Sequence, residues 1–224
     1  MAMTEAYSVV IPAYNAAAFI RQSIASVVAQ TLPPSQIIVV DDGSSDDTAE
    51  IAGSIEGVEV IRQANGGPGK ATTTGFAAVR NELIATLDAD DLWLPDKMER
   101  QLAAMNSDIA GLFGRMTNFR DDPASADPAA AYDGLIRSTM VIRRAVALAT
   151  GPIIDPPGAG DMVDWLARVR EGGHRLTVLP ELVALRRSHA ASMTAKGASN
   201  LAAGYLSVAR AALLRRRAAE RDEK

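Results

Sequence analysis

The chain alternates short apolar runs with amphipathic stretches over its first half. Each run is short, largely apolar and followed by polar turn residues, which is typical of a strand buried in a sheet. Most of the intervening stretches place apolar residues at the spacing of one helix face. The predicted strands are 7–12, 36–40, 58–62 and 82–87, and the predicted helices are 16–30, 48–55 and 75–80. This alternation predicts an α/β fold with a mostly parallel sheet flanked by helices.

The second half of the chain is less regular. Residues 95–105 form an amphipathic pattern that predicts a helix, with Met98 on its inner face and Lys97 on its outer face. Other predicted elements are a strand at 139–142, a helix at 163–170, extended segments at 176–179 and 182–185, and loops at 121–131 and 151–160. The length suits one core, so we predict a single domain over 1–224. Its parts are a first half at 1–91, a second half at 92–195 and a C-terminal helix at 200–221.

Composition excludes several functional classes. The chain has 23 Lys and Arg against 27 Asp and Glu, a formal net charge of -4, which argues against general nucleic-acid binding. It contains no cysteine, which excludes disulfides, thiolate metal sites and cysteine nucleophiles. The first residues lack a signal-peptide pattern, and no window has the roughly 20 apolar residues of a membrane span. We therefore predict a cytoplasmic protein without a membrane span.

Three carboxylates, those of Asp88, Asp90 and Asp91, follow directly after the predicted strand at 82–87. Ligands of open α/β sheets collect outside the carboxyl ends of the strands. Neighbouring carboxylates repel one another unless a hard divalent cation is shared between them and a phosphorylated ligand. The run therefore predicts a cation-dependent binding site, and a solvated acidic turn is the alternative.

Five segments together resemble the family-2 glycosyltransferases, enzymes of the GT-A fold that use nucleotide-activated sugars. These segments are Val9 to Asn15, Ile38 to Asp46, Asn65 to Pro68, Leu87 to Asp91 and Trp93 to Lys97. Each is weak alone, but their order and spacing match the family across about the first hundred residues. The resemblance implies a single GT-A-type, Rossmann-like domain.

The resemblance also implies which residues contact the donor. An Asp after the second strand would accept a hydrogen bond from a pyrimidine N–H, with Asp42 favoured over Asp41, and Asp88 would approach the ribose. The last Asp of the family's DXD motif, here Asp90, would coordinate a metal ion together with His189. The implied nucleotide-binding residues are Pro12, Ala13, Tyr14, Asn15, Asp41, Asp42, Gly67, Lys70, Asp88 and Ala89. Oxygen ligands favour Mg²⁺ or Mn²⁺ as the cofactor.

Two segments depart from the family pattern. Thr72-Thr73 stands where an Arg-Asn pair is usual, and Lys70 would supply the missing positive charge. In the motif that carries the catalytic base, an ungapped alignment puts Met162 at the base position. An alignment shifted by one residue puts Asp161 there. We favour Asp161 over Asp164 as the base, because Asp164 can instead cap or pair on its helix.

We therefore predict an inverting, metal-assisted transfer from a nucleotide diphosphate sugar, with a UDP-sugar favoured, to a saccharide, lipid-linked or peptide hydroxyl. Asp161 would take the acceptor proton, and Asp90 with its ion would stabilise the departing diphosphate. A nucleotide-binding protein that has lost catalysis is the first alternative, supported by the two departures. A sugar-phosphate nucleotidyltransferase is the second, and the absence of a Gly-rich, Arg-containing loop after the first strand counts against it.

The C-terminal helix predicted at 200–221 carries several arginines. We expect it to pack on its own domain or on a partner subunit, which allows a homodimer. Peripheral contact with an anionic membrane is the alternative, since a basic amphipathic helix can lie on such a surface.

Overall fold

A sheet of nine strands runs through the part of the chain that the computed structural model describes, residues 6–155, 161–189 and 208–215. The strands are β1 (Tyr7–Ala13), β2 (Gln36–Asp41), β3 (Val58–Arg62), β4 (Leu83–Thr86), β5 (Leu92–Trp93), β6 (Gly111–Phe119), β7 (Tyr132–Gly134), β8 (Val141–Arg143) and β9 (Leu176–Arg187). Their order in the sheet is β3-β2-β1-β4-β8-β6-β9-β5, and β7 pairs with β6.

Helices cover the sheet between the strands. They are α1 (Ile20–Val28), α2 (Thr48–Gly53), α3 (Pro68–Ala78), α4 (Lys97–Ala104), α5 (Arg144–Thr150) and α6 (Asp161–Glu171). Short 3₁₀ turns lie at Pro123–Ser125, Pro128–Ala130 and Arg137–Thr139, and residues 208–215 are helical. The rest of the predicted helix at 200–221, and residues 156–160 of the predicted loop at 151–160, lie outside the described residues. None of the described helices is long and apolar enough to cross a membrane.

The predicted α/β fold with a mostly parallel sheet flanked by helices is confirmed. Strands β1 to β4 lie within or next to their predicted ranges and pair only in parallel with one another. The antiparallel pairings all involve strands that follow β4. The strand predicted at 139–142 begins only at Val141, because Arg137–Thr139 forms a 3₁₀ turn.

Strands β5, β6 and β7, and the continuity of β9, were not predicted. Strand β6 contains two glycines and lacks a regular polar and apolar alternation, so its sequence does not distinguish a strand from a loop. The extended segments at 176–179 and 182–185 are one strand, β9, that continues through Pro180. Its register against β6 shifts between Phe113 and Arg115, next to Pro180. A proline, which has no N–H to donate, is tolerated at such an irregularity.

Two apolar clusters cover opposite faces of the sheet. Val9 and Ile11 of β1 belong to the cluster that includes α1, whereas Val10 belongs to the cluster that includes α3. Helix α3 comes very close to β1 at Gly75, where an added Cβ would lie 2.3 Å from Cγ1 of Val10. The beginning of α3 lies at the end of the sheet where β2 finishes, because the N–H groups of Gly66 and Gly67 donate to Asp42.

Gly75→Ala is expected to lower the free energy of unfolding. Overpacking against a buried strand costs about 1–3 kcal/mol, and the gain in helix propensity returns at most about 1 kcal/mol. Urea denaturation measures the difference. Gly53→Ala in α2 is the matched control, because its Cβ would lie 3.7 Å from Val60, an ordinary contact distance. Equal stabilities of the two variants would contradict close packing at Gly75.

The prediction that Lys97 lies on the outer face of α4 is wrong. Its side chain is 0% exposed, and its Nζ donates to Oε1 of Gln101 at 2.5 Å. The Nζ atom also lies 4.2 Å from the centre of the Trp93 ring. Helical periodicity does not reveal this position, because Lys97 is the first residue of α4 and faces β5, a strand that exists only through its pairing with β9.

Burial lowers the pKa of Lys97 well below its usual value, which makes stability depend on pH. Between the lowered pKa and about pH 10.4, Lys97 is protonated in the unfolded chain but not in the folded protein. The unfolded state therefore binds more protons in this range, and the contribution of Lys97 to stability rises with pH up to about pH 10.4. We expect the stability of the wild type relative to Lys97→Met to increase on going from neutral pH to pH 10, by at most about 1.4 kcal/mol per pH unit. Denaturation of Lys70→Met, at an exposed lysine, is the control, and a difference independent of pH would contradict the shift.

Candidate functional site

The loop that follows β4 carries Asp88, Asp90 and Asp91, and we call it the acidic loop. The turn at Arg137–Thr139 binds it at both ends, at Asp88 and at Asp91. Asp91 is buried and accepts hydrogen bonds from Oγ of Ser138 at 2.6 Å and from the backbone N–H of Arg187 at 3.0 Å. Burial raises the pKa of Asp91 well above its usual range, as do the charges of Asp90 and Asp88, whereas these two hydrogen bonds oppose the rise. Asp91 is therefore the anchor of the loop.

Asp90 faces the end of β9. Its Oδ2 lies 2.9 Å from Nε2 of His189, and its carbonyl oxygen accepts a hydrogen bond from Nε of Arg187 at 2.9 Å. The His189 ring packs against Phe19, with the ring centres 4.5 Å apart. The Asp90 side chain is still 31% exposed, so it is open to a ligand.

The two predicted metal ligands, Asp90 and His189, are thus in direct contact. Within the described residues, no group of three or more His, Asp or Glu side chains is arranged to hold a metal ion. Two protein donors nevertheless fit Mg²⁺ or Mn²⁺ bound with a nucleotide, because such an ion takes one or two protein ligands and completes its shell with phosphate oxygens and water. The hard oxygen of Asp90 suits either ion.

Arg137 joins the acidic loop to the N-terminus of α6. Its Nε donates to Oδ1 of Asp88 at 2.7 Å, and its Nη1 donates to Oδ2 of Asp161. The side chain is only 9% exposed. Burial by itself lowers the pKa of Arg137, but the charges of Asp88 and Asp161 outweigh it and raise the pKa above its usual value. Arg137 was not among the predicted site residues, although it is the first residue of the turn that holds the loop.

The two candidates for the base occupy different surroundings. Asp161 begins α6 and its carboxylate contacts Arg137 next to the acidic loop. Asp164 is buried one turn later, and its two oxygens accept from Arg168 at 3.0 Å and Arg215 at 2.9 Å. Asp164 therefore belongs to the contact between α6 and the helix at 208–215, which packs on its own domain at this point.

The ends of β1 and β2 form the other side of the site. Pro12 and Ala13 are buried at the end of β1, whereas Tyr14 is 54% exposed. Asn15 has a φ of 49° and accepts a hydrogen bond from the backbone N–H of Ser45 at 2.8 Å. Ser44 in turn accepts one from the N–H of Asn15 at 2.9 Å. The two loops are therefore linked, with the Tyr14 ring exposed beside them.

The two Asp residues after β2 differ in their partners. Asp42 accepts hydrogen bonds from the side chain of Gln63 at 2.7 Å and from the N–H groups of Gly66 at 3.0 Å and Gly67 at 2.8 Å. Both side chains are buried, Asp41 at 4% and Asp42 at 2% exposed, and Oδ1 of Asp41 has no hydrogen-bond partner among the described residues. Asp42 thus holds the loop that leads into α3.

Asp155, which was not among the predicted site residues, caps the start of α3. Its carboxylate accepts hydrogen bonds from the backbone N–H groups of Gly69 at 2.8 Å and Lys70 at 3.0 Å. Burial raises the pKa of Asp155, and these two donors oppose the rise. Gly67 has a φ of 95°, and an added Cβ would lie 2.7 Å from the Asp155 carboxyl group, so this position requires glycine.

The residues at the usual Arg-Asn positions add no charge. The hydroxyls of Thr72 and Thr73 donate to the carbonyls of Pro68 and Gly69 within α3. The exposed Lys70 folds its side chain over Gly66. The side chain of Lys70 therefore carries the positive charge at this end of α3, next to the loop that Asp42 holds.

Ala89 connects the acidic loop to α1. Its buried carbonyl oxygen accepts a hydrogen bond from the hydroxyl of Ser23 at 2.8 Å, which fixes the loop against this helix.

The fold is shared with solved glycosyltransferases. TarS from S. aureus in complex with UDP-GlcNAc has a TM-score of 0.70 at 20% identity, with 84% of this chain and 60% of that chain covered. The mannosyltransferase PcManGT from Pyrobaculum calidifontis, in complex with GDP-Man and Mn²⁺, has a TM-score of 0.68 at 16% identity, with 87% and 60% covered. The fold is therefore of the GT-A class.

The chain belongs to glycosyl transferase family 2, whose model matches residues 8–155. The putative teichuronic acid biosynthesis glycosyltransferase TuaG of Bacillus subtilis is 29% identical over 182 residues, which cover 74% of this chain and 72% of TuaG. An uncharacterised glycosyltransferase of Nostoc sp. is 40% identical over 111 residues, which cover 47% of this chain and 34% of that protein. The chain thus matches about a third of the length of the Nostoc relative. The predicted family membership is confirmed.

Proposed function

We propose that this glycosyltransferase transfers a sugar from a nucleotide diphosphate donor, with a UDP-sugar favoured, to a hydroxyl acceptor with inversion at the anomeric carbon. The observation that carries the proposal is the acidic loop after β4, where Asp88 and Asp90 are partly exposed while Asp91 anchors the loop. Among the neighbours, TarS in complex with UDP-GlcNAc supports a UDP-sugar as the donor. PcManGT in complex with GDP-Man makes a GDP-sugar the competing donor.

The donor would lie between the acidic loop and the ends of β1 and β2. The exposed ring of Tyr14 would flank the base. Asp42 would accept from the N–H of the base in exchange for its hydrogen bond from Gln63, while the N–H groups of Gly66 and Gly67 keep it on the loop before α3. Asp88 would approach the ribose, with its charge balanced by Arg137. Asp90 and His189 would hold Mg²⁺ or Mn²⁺, which supplies positive charge to the diphosphate when bound.

Asp161 would act as the base. Its carboxylate would take the proton of the acceptor hydroxyl while that oxygen forms a bond to the anomeric carbon and the bond to the diphosphate oxygen breaks. Arg137 holds Asp161 on the side of the site where Asp88 lies. Asp164 is less suited to this role, because arginines already bind both of its oxygens.

A nucleotide-binding protein that has lost catalysis is the competing function. Met162, which stands at the base position of an ungapped alignment, is buried and cannot accept a proton. The hydroxyls of Thr72 and Thr73 bond within α3, where the family usually places a charged residue. These observations do not affect donor binding. They count against transfer, because the usual position of the base and the usual position of a charged residue hold side chains that cannot fill these roles.

Release of nucleoside diphosphate decides between the two functions. Purified protein is incubated with a panel of UDP-, GDP- and dTDP-sugars, with and without Mn²⁺, and with simple saccharides as acceptors. We expect Mn²⁺-dependent release of UDP from at least one UDP-sugar. Binding of UDP by calorimetry without turnover of any donor would instead support the binding protein, and absence of both would refute the proposed donor site.

A further inference from the structure

A second cluster of side chains lies on β6, β7 and β9, in the half of the sheet away from β1 and β2. Tyr132 begins β7 and donates its hydroxyl proton to Oδ1 of Asn118 on β6 at 3.0 Å. Arg186 on β9 is paired in register with Asn118, and it is hydrogen-bonded to Tyr132. Three neighbouring strands therefore contribute one polar side chain each to a linked set, which we call the Tyr132 cluster.

The Tyr132 cluster is open to a ligand. Tyr132 is 36% exposed although its hydroxyl is fixed by its partners, and Asn118 is exposed as well. An ordered aromatic ring with an accessible face loses little conformational freedom when a ligand packs against it. The side-chain amide of Asn118 and the guanidinium of Arg186 offer donors and acceptors at the edge of that ring.

The cluster also lies close to the acidic loop. Arg187, the residue after Arg186 on β9, donates its backbone N–H to Oδ1 of Asp91 at 3.0 Å and its Nε to the carbonyl oxygen of Asp90 at 2.9 Å. The carbonyl oxygen of Gly134, on the same strand as Tyr132, accepts a hydrogen bond from the hydroxyl of Thr139, in the turn whose Arg137 binds both Asp88 and Asp161. A molecule that covers the Tyr132 ring can thus extend toward Asp161.

A saccharide matches this arrangement in its chemistry. One face of a pyranose ring presents C–H groups that pack on an aromatic ring, and its edge presents hydroxyls that need donors and acceptors. We propose that Tyr132, Asn118 and Arg186 form the subsite that binds a saccharide unit of the acceptor. This assignment rests on the proposed function, because it places the bound hydroxyl of the acceptor on the Asp161 side of the donor.

Saturation-transfer NMR with methyl glycosides of glucose, galactose, N-acetylglucosamine and glucuronic acid tests the subsite. In the presence of UDP and Mn²⁺, we expect at least one glycoside to bind the wild type at about 10 mM, a concentration that fills a site of millimolar affinity. Tyr132→Ala is expected to weaken that binding about tenfold, because the stacking surface is lost. Arg186→Gln and Tyr132→Phe are expected to weaken it less, since each leaves the ring in place.

The controls separate this assignment from general damage and from the proposed function. Leu148→Ala, at a side chain exposed on α5, is expected to leave glycoside binding unchanged. UDP binding, measured by calorimetry, is expected to be the same in Tyr132→Ala and the wild type. Glycoside binding that survives in Tyr132→Ala, or no glycoside binding to the wild type, would overturn the subsite. Binding of glycosides that depends on Tyr132 in a protein that does not bind UDP would support the subsite and overturn the proposed donor.

Discussion

Asp90→Asn is expected to reduce turnover of the nucleotide sugar by about 100-fold or more, because the variant loses the one anionic ligand that we assign to the cation. It is also expected to abolish the increase in UDP affinity that Mn²⁺ produces. The amide is nearly the same size as the carboxylate, and the side chain is partly exposed, so the fold is expected to stay intact. Donor hydrolysis and calorimetry with and without Mn²⁺ measure the two effects.

Asp108→Asn is the matched control for the change at Asp90. Asp108 is an exposed turn residue before β6, and it carries the same carboxylate at a site with no assigned role in donor binding. Its variant is expected to keep both turnover and the Mn²⁺ effect. Unchanged turnover in Asp90→Asn with saturating Mn²⁺ would refute the role of the acidic loop in cation binding.

Arg137→Met is expected to have the largest effect on stability, a loss of about 3 kcal/mol in the free energy of unfolding. The methionine fills a similar volume but leaves Asp88 and Asp161 without the cation that they share. Removing one partner of a buried ion pair is costly, because the remaining charges stay poorly solvated. Urea denaturation measures the loss, and the same variant is expected to have lower turnover because Asp161 is no longer held.

Two further variants test this interpretation of Arg137. Arg80→Met removes an arginine whose ion pair with Glu59 is exposed, so its cost is expected to be below about 1 kcal/mol. Arg137→Lys keeps the charge but not the fork that reaches two carboxylates, so it is expected to restore only part of the stability. If Arg137→Met is as stable as Arg80→Met, the link between the acidic loop and α6 has no energetic importance.

The local pattern of the chain was sufficient to predict the first half of the fold. Strands β1, β2 and β4 are short, apolar and buried on both faces, so their sequences differ clearly from those of the helices between them. The turn residues at their ends also predicted where the acidic loop would lie. Strands β5 and β6 were not predicted. Strand β5 has only two residues and β6 contains glycines, so each becomes a strand only because a neighbouring strand pairs with it.

The candidate site was likewise predictable from the sequence only in part. The sequence alone placed Asp88, Asp90 and Asp91 after β4, because the end of a buried strand and a run of carboxylates are both local features. Only the tertiary structure showed that Arg137, 49 residues after Asp88, neutralises that residue together with Asp161. Such contacts depend on how distant segments pack, and no local spacing records them.

Lys97 shows the same limit for burial. Periodicity identified the helix correctly, yet the contact of its first residue with β5 decided that a lysine side chain lies inside the protein. The sequence by itself thus determined the family, the α/β fold and the position of the acidic loop, since these follow from local patterns. The tertiary structure decided which charges are paired, which carboxylates stay exposed, and how the two halves of the site meet.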